Sequence, residues 1–279
     1  MKYEFTVTQR ERFSDLGVPK EEREKTFETA QERNSFFLRL EKEYSKVNKD
    51  IIRKCLDDKH RTEVDRVVES LASWLTEEGF TKVSTPTIIT TEMLDKMTIS
   101  KDNLLRDQVY YVASNKCLRP MLAPNLYVVM RELRRITNEP VRIFEIGSCF
   151  RKESNTSQHL NEFTMLNLVE LGGVDDGDQT RRLRHLAEGA MKAVGIQDYS
   201  LDTESSTVYK ETLDIVYNDL EIASGSYGPH SLDNNWGIFD TWVGIGMGIE
   251  RIAMIKNGSN LISKVGRSIN ALDGATLRI

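Results

Sequence analysis

The stretch that most constrains this chain is Ile143 to Leu171, IFEIGSCFRKESNTSQHLNEFTMLNLVEL: an apolar run, a charged and polar loop, and a second apolar run. The pattern predicts two antiparallel strands joined by a long connection. A purely structural hairpin closes over about two to five residues, whereas roughly a dozen positions separate these runs. Arg151, Lys152, Glu153, His159, Asn161 and Glu162 fall in that connection. Loops of such length and charge are commonly binding loops.

Period-two alternation puts Phe163, Met165, Asn167, Val169 and Leu171 on one face of the return strand and Thr164, Leu166, Leu168 and Glu170 on the other. An asparagine in an apolar row costs about 1–3 kcal/mol unless its amide is hydrogen-bonded. Either a neighbouring backbone or a ligand must satisfy it. Arg151 and Glu153, two apart in extended chain, project the same way. A guanidinium fork suits phosphate and a carboxylate suits an exocyclic amine such as that of adenine. With Phe163 as a stacking surface and His159 as a donor they supply the parts of a nucleotide site, although taken alone they also read as a surface ion pair.

Composition narrows the classes. Hydrophobic content of 39% and charged content of 29% over 279 residues fit one large or two modest globular domains. No apolar run approaches the roughly 18 residues of a membrane helix, and MKYEFTVTQRER lacks a signal-peptide core. A cytoplasmic location without a membrane is therefore expected. Cys55, Cys117 and Cys149 include no CxxC spacing, so neither a disulfide framework nor a zinc site is expected. The net charge of -5 gives no global attraction to nucleic acid, which would have to be met by a local basic patch.

Residues 1–60 are dense in Lys, Arg and Glu, with apolar residues such as Phe27, Ala30, Phe37 and Leu40 spaced widely enough to suggest short amphipathic helices. Lys46, Lys49, Arg53, Lys54, Lys59 and Arg61 form a basic cluster. It fits either a solvated face or a nucleic-acid contact. Val64, Val67, Val68, Leu71, Trp74 and Leu75 then mark one face of a helix that Gly79 stops. TKVSTPTIITTEML reads as a strand with Pro86 in its middle, which belongs at a sheet edge or a subunit interface. Gln108–Ala113 reads as a short strand. Ala123-Pro124 starts a helix with Leu126, Met130 and Leu133 on one stripe. Thr180–Val194 reads as a surface helix, stopped by Gly195, whose Arg181, Arg182 and Arg184 face solvent. Ser206–Tyr217 and Leu220–Tyr227 read as strands. Long helices and consecutive antiparallel strands make an α+β pattern without alternating βαβ units.

The run Gly244-Ile245-Gly246-Met247-Gly248-Ile249-Glu250-Arg251 alternates glycine with apolar residues. One strand face is thus open to close approach and the other held in the core. Glu250-Arg251 opens a helix, which frees Arg251 to present a second guanidinium. The spacing is not GxGxxG and the βαβ setting is missing, so a Rossmann site is not expected.

Together, the Arg-bearing strand, loop and strand, the later GxGxGxER and the earlier Pro-bearing segment resemble the three motifs of class II aminoacyl-tRNA synthetases. LRPMLAPNLY (118–127), IFEIGSCFRKES (143–154), HLNEFTMLN (159–167) and YGPHSLD (227–233) resemble the pyrrolysyl branch of that family. The likeness covers about Lys59 onward. The short charged beginning is similar to the group without a separate N-terminal tRNA-binding domain, which implies an extension over 1–60 and a catalytic domain over 61–279.

The resemblance implies an α+β homodimer with a class II antiparallel sheet flanked by helices. Such an enzyme uses ATP and Mg2+ to activate pyrrolysine or a bulky lysine derivative and charges its cognate tRNA. It makes Arg151 and Arg251 the catalytic pair on the α-phosphate, Glu153 the reader of the adenine amine, and Phe163 the base-stacking ring. His159, Leu160 and Ile222 would lie along the nucleotide. Glu221 and Ser224 would hold the metal and phosphates. The amino-acid pocket would comprise Met121, Leu122, Ala123, Leu126, Tyr127, Met130, Asn167, Val169, Ser226, Trp242 and Gly244, with Tyr209 on a loop above it. Asn167 would then meet the side-chain amide of the substrate. The chain departs from the family pattern at Asn161, where Glu is usual, at Ala223, where Ser or Cys is common, and at Ser226-Tyr227, where two small apolar residues are expected. Two other readings are a synthetase of the phenylalanyl or phosphoseryl branch and a binding protein of the same fold without catalysis. A cationic patch placed to take a phosphate would favour the phosphoseryl branch, against which the Asn167 row speaks, and the intact set Arg151, Glu153, Glu221 and Arg251 speaks against the binding protein.

Overall fold

A computed structural model describes residues 2–57, 59–153, 157–206 and 208–278. At the N-terminus, strand β1 (Tyr3–Glu4), helices α1 (Val7–Leu16) and α2 (Lys20–Arg23) and strand β2 (Thr26–Phe27) precede one long helix, α3 (Ala30–Cys55). Thr29 caps α3 by accepting from Glu32 N, and Leu40 on its inner face joins Phe5, Phe13, Leu16, Val18 and Phe27 in a separate small core. The short helices expected here are thus mostly a single helix, and Phe27 lies on a strand that pairs with β1.

Helix α4 (Glu63–Glu77), capped by Thr62, buries Val67, Leu71 and Leu75, and Gly79 follows with φ +85°. Next come β3 (Thr81–Lys82), β4 (Ile88–Thr90), α5 (Thr91–Lys96), α6 (Leu104–Asp107), β5 (Tyr111–Ala113), β6 (Lys116–Leu118) and α7 (Ala123–Arg134). Pro86 sits in neither β3 nor β4, contrary to the expected Pro-bearing strand. The backbone there is satisfied by side chains instead: Asn125 Nδ2 donates to Thr85 Oγ1 (2.7 Å) and to the Pro86 carbonyl (2.8 Å), and Thr85 N donates to Glu145 (3.1 Å). The expected strand from Gln108 is shorter too, since the Gln108 carbonyl accepts from Lys152 N and the ladder starts at Tyr111.

The hairpin is β7 (Val141–Phe150) and β8 (Glu162–Leu171), paired from Val141 with Leu171 to Phe150 with Glu162. It is followed by α8 (Gln179–Val194), β9 (Ser200–Ser206), β10 (Lys210–Tyr217), β11 (Leu220–Gly228), a 3-10 turn over Ser231–Trp236, and β12 (Trp242–Gly248). Helices α9 (Ile249–Lys256) and α10 (Ile262–Val265) and the hairpin β13 (Ala271–Leu272) and β14 (Ala275–Thr276) close the chain. Seven strands form one sheet in the order β3-β7-β8-β12-β11-β10-β9, antiparallel throughout except for β3, which runs parallel to β7 at the edge.

One face of that sheet packs on α4, α8 and α9 through Leu166, Leu168, Val243, Ile245 and Met247. The opposite face, with α7 and Trp236, forms a second core around Val169, Leu171 and Trp242, and the functional cavity opens on that side. Arg182 of α8 is not a solvent-facing charge: its Nε and that of Arg142 each donate at 2.7 Å to Glu170, whose side chain is 1% exposed. Among the described residues no helix is long and apolar enough to cross a membrane.

Candidate active site

Four elements wall a cavity of about 490 Å3, a size typical of small-molecule sites. Strands β8, β11 and β12 form its floor and the first turns of α7 one side. Alternation makes the floor. On β8, Phe163, Met165, Asn167 and Val169 point into the cavity while Leu166 lies in the core behind. On β12, Trp242, Gly244, Gly246 and Gly248 line it while Val243, Ile245 and Met247 fill the same core. The glycines have a local reason. A Cβ at Gly246 would stand 3.2 Å from Asn167 Nδ2, and one at Gly244 would stand 3.1 Å from the Leu168 carbonyl. Any side chain at Gly246 would press on the amide.

The cavity has a polar end. Arg151 continues β7: its backbone N–H donates to the Asn161 carbonyl (3.0 Å) and its Nε to the Pro120 carbonyl (2.9 Å). Its guanidinium stands 5.3 Å from the centre of the Phe163 ring. Burial, with Arg251 nearby, pushes this guanidinium below its ordinary value. It remains charged, so a desolvated cation faces the cavity. Asn161 closes the loop by accepting from Glu153 N (3.0 Å), which gives that family departure a structural role. Arg251 stands across from Arg151, with NH1 donating to the Glu221 carbonyl (2.6 Å) and NH2 3.3 Å from His159 Nε2. The Glu221 carboxyl is raised by burial and by Asp214, whose Oδ1 accepts from the Ser224 hydroxyl (2.6 Å).

The other end is apolar and contains one buried amide. Tyr127, Met130, Leu126, Val169 and Trp242 surround Asn167, whose Oδ1 has no hydrogen-bond partner among the described residues. Asp233, 1% exposed, sets this wall. It accepts from Tyr127 OH (2.7 Å), Trp242 Nε1 (2.7 Å) and His230 N (2.6 Å). Tyr209 lies between β9 and β10 with its ring centre 5.9 Å from that of Trp242, and its carbonyl is 2.8 Å from His230 Nε2.

Every residue expected at the site lines this cavity except one. Leu122 is fully buried, does not line the cavity, and ends the segment before α7, where its carbonyl accepts from Asn125 N and Leu126 N. Several lining residues were not expected, among them Met165, Gln158, Thr212 and Glu250. Met165 shares the Phe163 and Asn167 face, so period two already pointed to it. Glu250 carried no such signal. Its two carboxylate oxygens accept from Thr164 N at 2.9 and 2.8 Å, and its side chain is 2% exposed.

Burial pushes the Glu250 carboxyl above its ordinary value, against the Thr164 bonds that pull it down. A carboxyl raised on folding contributes stability that is fully present below its unfolded pKa and is lost as pH rises through the folded value. Glu250→Gln, uncharged at every pH, removes that dependence. The thermal midpoint of the wild type minus that of the variant is therefore expected to fall as pH rises from about 4 to about 7. A difference constant across that range would show that Glu250 is not the titrating group.

Comparisons with known proteins identify the family. Residues 46–270 match the family model described as tRNA synthetases class II core domain (F), and the chain belongs to the class II aminoacyl-tRNA synthetases. A solved pyrrolysyl-tRNA synthetase from Desulfitobacterium hafniense is 46% identical, with a TM-score of 0.92 and 99% of each chain covered. A second structure from that organism, PylSc, is 45% identical with a TM-score of 0.90. This end-to-end identity places the chain in the pyrrolysyl-tRNA synthetase family. Curated relatives are more distant. An O-phosphoserine--tRNA(Cys) ligase of Methanococcus maripaludis is 29% identical over 157 residues, 52% of this chain. A lysine--tRNA ligase of Staphylococcus epidermidis is 27% identical over 157 residues, 54% of this chain. The matched part spans only 28% and 30% of those two relatives.

Proposed function

We propose that this protein activates pyrrolysine, or a bulky lysine derivative, with ATP and transfers it to a cognate tRNA as a homodimer. The observation that carries the reading is the chemistry of the cavity: two guanidinium groups at one end and, in an apolar wall at the other, the Asn167 amide, whose oxygen has no hydrogen-bond partner among the described residues. A long, mostly apolar side chain with one internal amide matches that wall. A 180° turn of the Asn167 amide exchanges its oxygen and nitrogen, so the position serves either the N–H or the carbonyl of such a group.

In the first step the substrate carboxylate attacks the α-phosphorus and pyrophosphate leaves. In the second a ribose hydroxyl at the tRNA terminus takes the acyl group and AMP leaves. Neither step needs a protein nucleophile. Arg151 and Arg251 hold the phosphate oxygens and offset the charge that develops on them, while Glu153 and Phe163 orient the base. The Glu221 carboxylate, its pKa raised by burial and by Asp214, and the Ser224 hydroxyl form an all-oxygen donor set of the kind Mg2+ takes. Bound there, Mg2+ would supply countercharge for the phosphates. Residues 1–60, which have their own small core, form an extension to the 61–279 catalytic unit in this reading.

The phosphoseryl alternative requires a cation for a side-chain phosphate. Arg151 and Arg251 are the only Arg or Lys side chains among the described cavity residues, and both lie at the nucleotide end. ATP-pyrophosphate exchange tests the choice: turnover is expected with pyrrolysine-like lysine derivatives and not with phosphoserine or phenylalanine. Exchange with phenylalanine alone, or with none of the lysine derivatives, would overturn it. Asn167→Ala is expected to reduce kcat/KM for such a derivative by about 10- to 100-fold, the cost of one buried hydrogen bond to substrate. Arg131→Ala, outside the cavity, should leave it within about twofold. Equal losses would remove Asn167 from substrate recognition.

A further inference from the structure

Outside the cavity, three segments far apart in sequence bring metal-binding chemistry together. Cys55 is the last residue of α3, His60 lies in the linker to α4, and Asp273 occupies the turn between β13 and β14. One ligand atom of each, the thiol sulfur, a ring nitrogen and a carboxylate oxygen, lies within 4.8 Å of the other two. We propose that Cys55, His60 and Asp273 bind one zinc ion that ties the end of α3 and the β13–β14 hairpin to the start of α4.

The imidazole carries most of the weight. His60 Nε2 is buried and 3.2 Å from Asp273 Oδ2, yet the geometry is wrong for a hydrogen bond, and Nε2 has no hydrogen-bond partner among the described residues. A buried ring nitrogen without a partner is costly, and a cation between it and the carboxylate relieves the cost. Asp273 is also positioned for the task. Its backbone adopts φ +46°, uncommon for a residue other than glycine. Its Oδ1 accepts from Glu63 N at 2.9 Å, an outer contact that orients the carboxylate and leaves Oδ2 toward His60.

The donor set selects the ion. A thiolate, an imidazole and a carboxylate suit the borderline character of Zn2+, whereas Mg2+ and Ca2+ prefer oxygen alone. The two anionic ligands balance the dipositive charge, with Arg66 NH2 3.9 Å from Asp273 Oδ2 as a further neighbour. Zinc bonds of about 2.0–2.3 Å hold tetrahedral ligand atoms roughly 3.3–3.7 Å apart, so side-chain shifts of about an ångström complete the triangle and water supplies the fourth ligand. Cysteine spacing in the sequence gave no hint of such a site, because the partners of Cys55 are not cysteines and one of them is more than two hundred positions away.

The test uses the full chain, reduced and stripped of metal with chelator, titrated with Co2+ as a spectroscopic substitute. One equivalent is expected to produce a thiolate-to-cobalt charge-transfer band with the visible bands of tetrahedral cobalt, and Zn2+ should bleach both. Cys55→Ser should abolish the charge-transfer band, and His60→Gln should weaken Co2+ binding at least tenfold. Zn2+ should raise the thermal midpoint of the wild type more than that of either variant. Absence of a charge-transfer band, its persistence in Cys55→Ser through Cys117 or Cys149, or an equal Zn2+ effect on all three proteins would each overturn the proposal.

Discussion

Arg151→Ala is expected to lower kcat for ATP-pyrophosphate exchange by about a thousandfold or more, because catalysis here consists of positioning and charge neutralisation. Its Nε bond to the Pro120 carbonyl sets the direction of the guanidinium fork, and the Phe163 ring supports its plane. Folding has already removed part of this cation's hydration, which lowers the desolvation cost of meeting a phosphate. Lysine would keep the charge but lose both the fork and the Nε contact, so Arg151→Lys should recover only part of the rate. Stability should hardly suffer, since truncation removes a desolvated charge. A thermal midpoint within about 5 °C of the wild type is expected. Retention of more than a tenth of the wild-type rate in Arg151→Ala would exclude it from transition-state stabilisation.

Glu145→Ala is expected to destabilise the fold by about 3–5 kcal/mol, one of the largest losses a single substitution in this chain can cause. Glu145 and Arg119 are each 3% exposed and joined at 2.7 Å. Removal of the carboxylate strands a buried guanidinium and also takes the acceptor from Thr85 N (3.1 Å) and Thr85 Oγ1 (2.7 Å). The same arginine donates from Nε to the Ser148 carbonyl, and its own carbonyl accepts from Phe150 N beside Arg151. Activity should therefore fall along with stability. Removing both charges in Glu145→Ala/Arg119→Met should restore much of the lost stability, since the unpaired ion is the main cost. Urea unfolding measures both, and a loss below about 1 kcal/mol in the single variant would refute the account.

Elements whose signal is periodic were legible in the sequence. The face of α4 from Val64 to Leu75 and the alternation of β8 and β12 follow from spacings of 3.6 or 2, and Gly79, Pro124 and Gly195 mark helix ends by their own backbone preferences. The faces presented to the cavity were readable for the same reason. What escaped depends on partners distant in sequence. Pro86 left the sheet because Asn125, thirty-nine positions on, holds its carbonyl. Arg182 turned inward because Glu170 on the sheet binds it, and Glu250 was fixed by a backbone N–H eighty-six positions away. Asp233 collects donors from a helix, a strand and its own turn, a convergence no local pattern announces. Leu122, placed at the site by the family resemblance alone, is buried just before α7 and does not line the cavity.

The two-faced floor of the cavity has a consequence for how this protein can change. Asn167, Val169, Gly244 and Gly246 face the cavity, whereas Leu166, Leu168, Val243, Ile245 and Met247 carry the packing behind them. Neighbouring positions in the chain thus answer to different demands. Exchanges at Asn167 and Val169 can reshape what the cavity accepts while the second set keeps the scaffold folded, whereas Gly244 and Gly246 are held by the close Leu168 carbonyl and Asn167 amide.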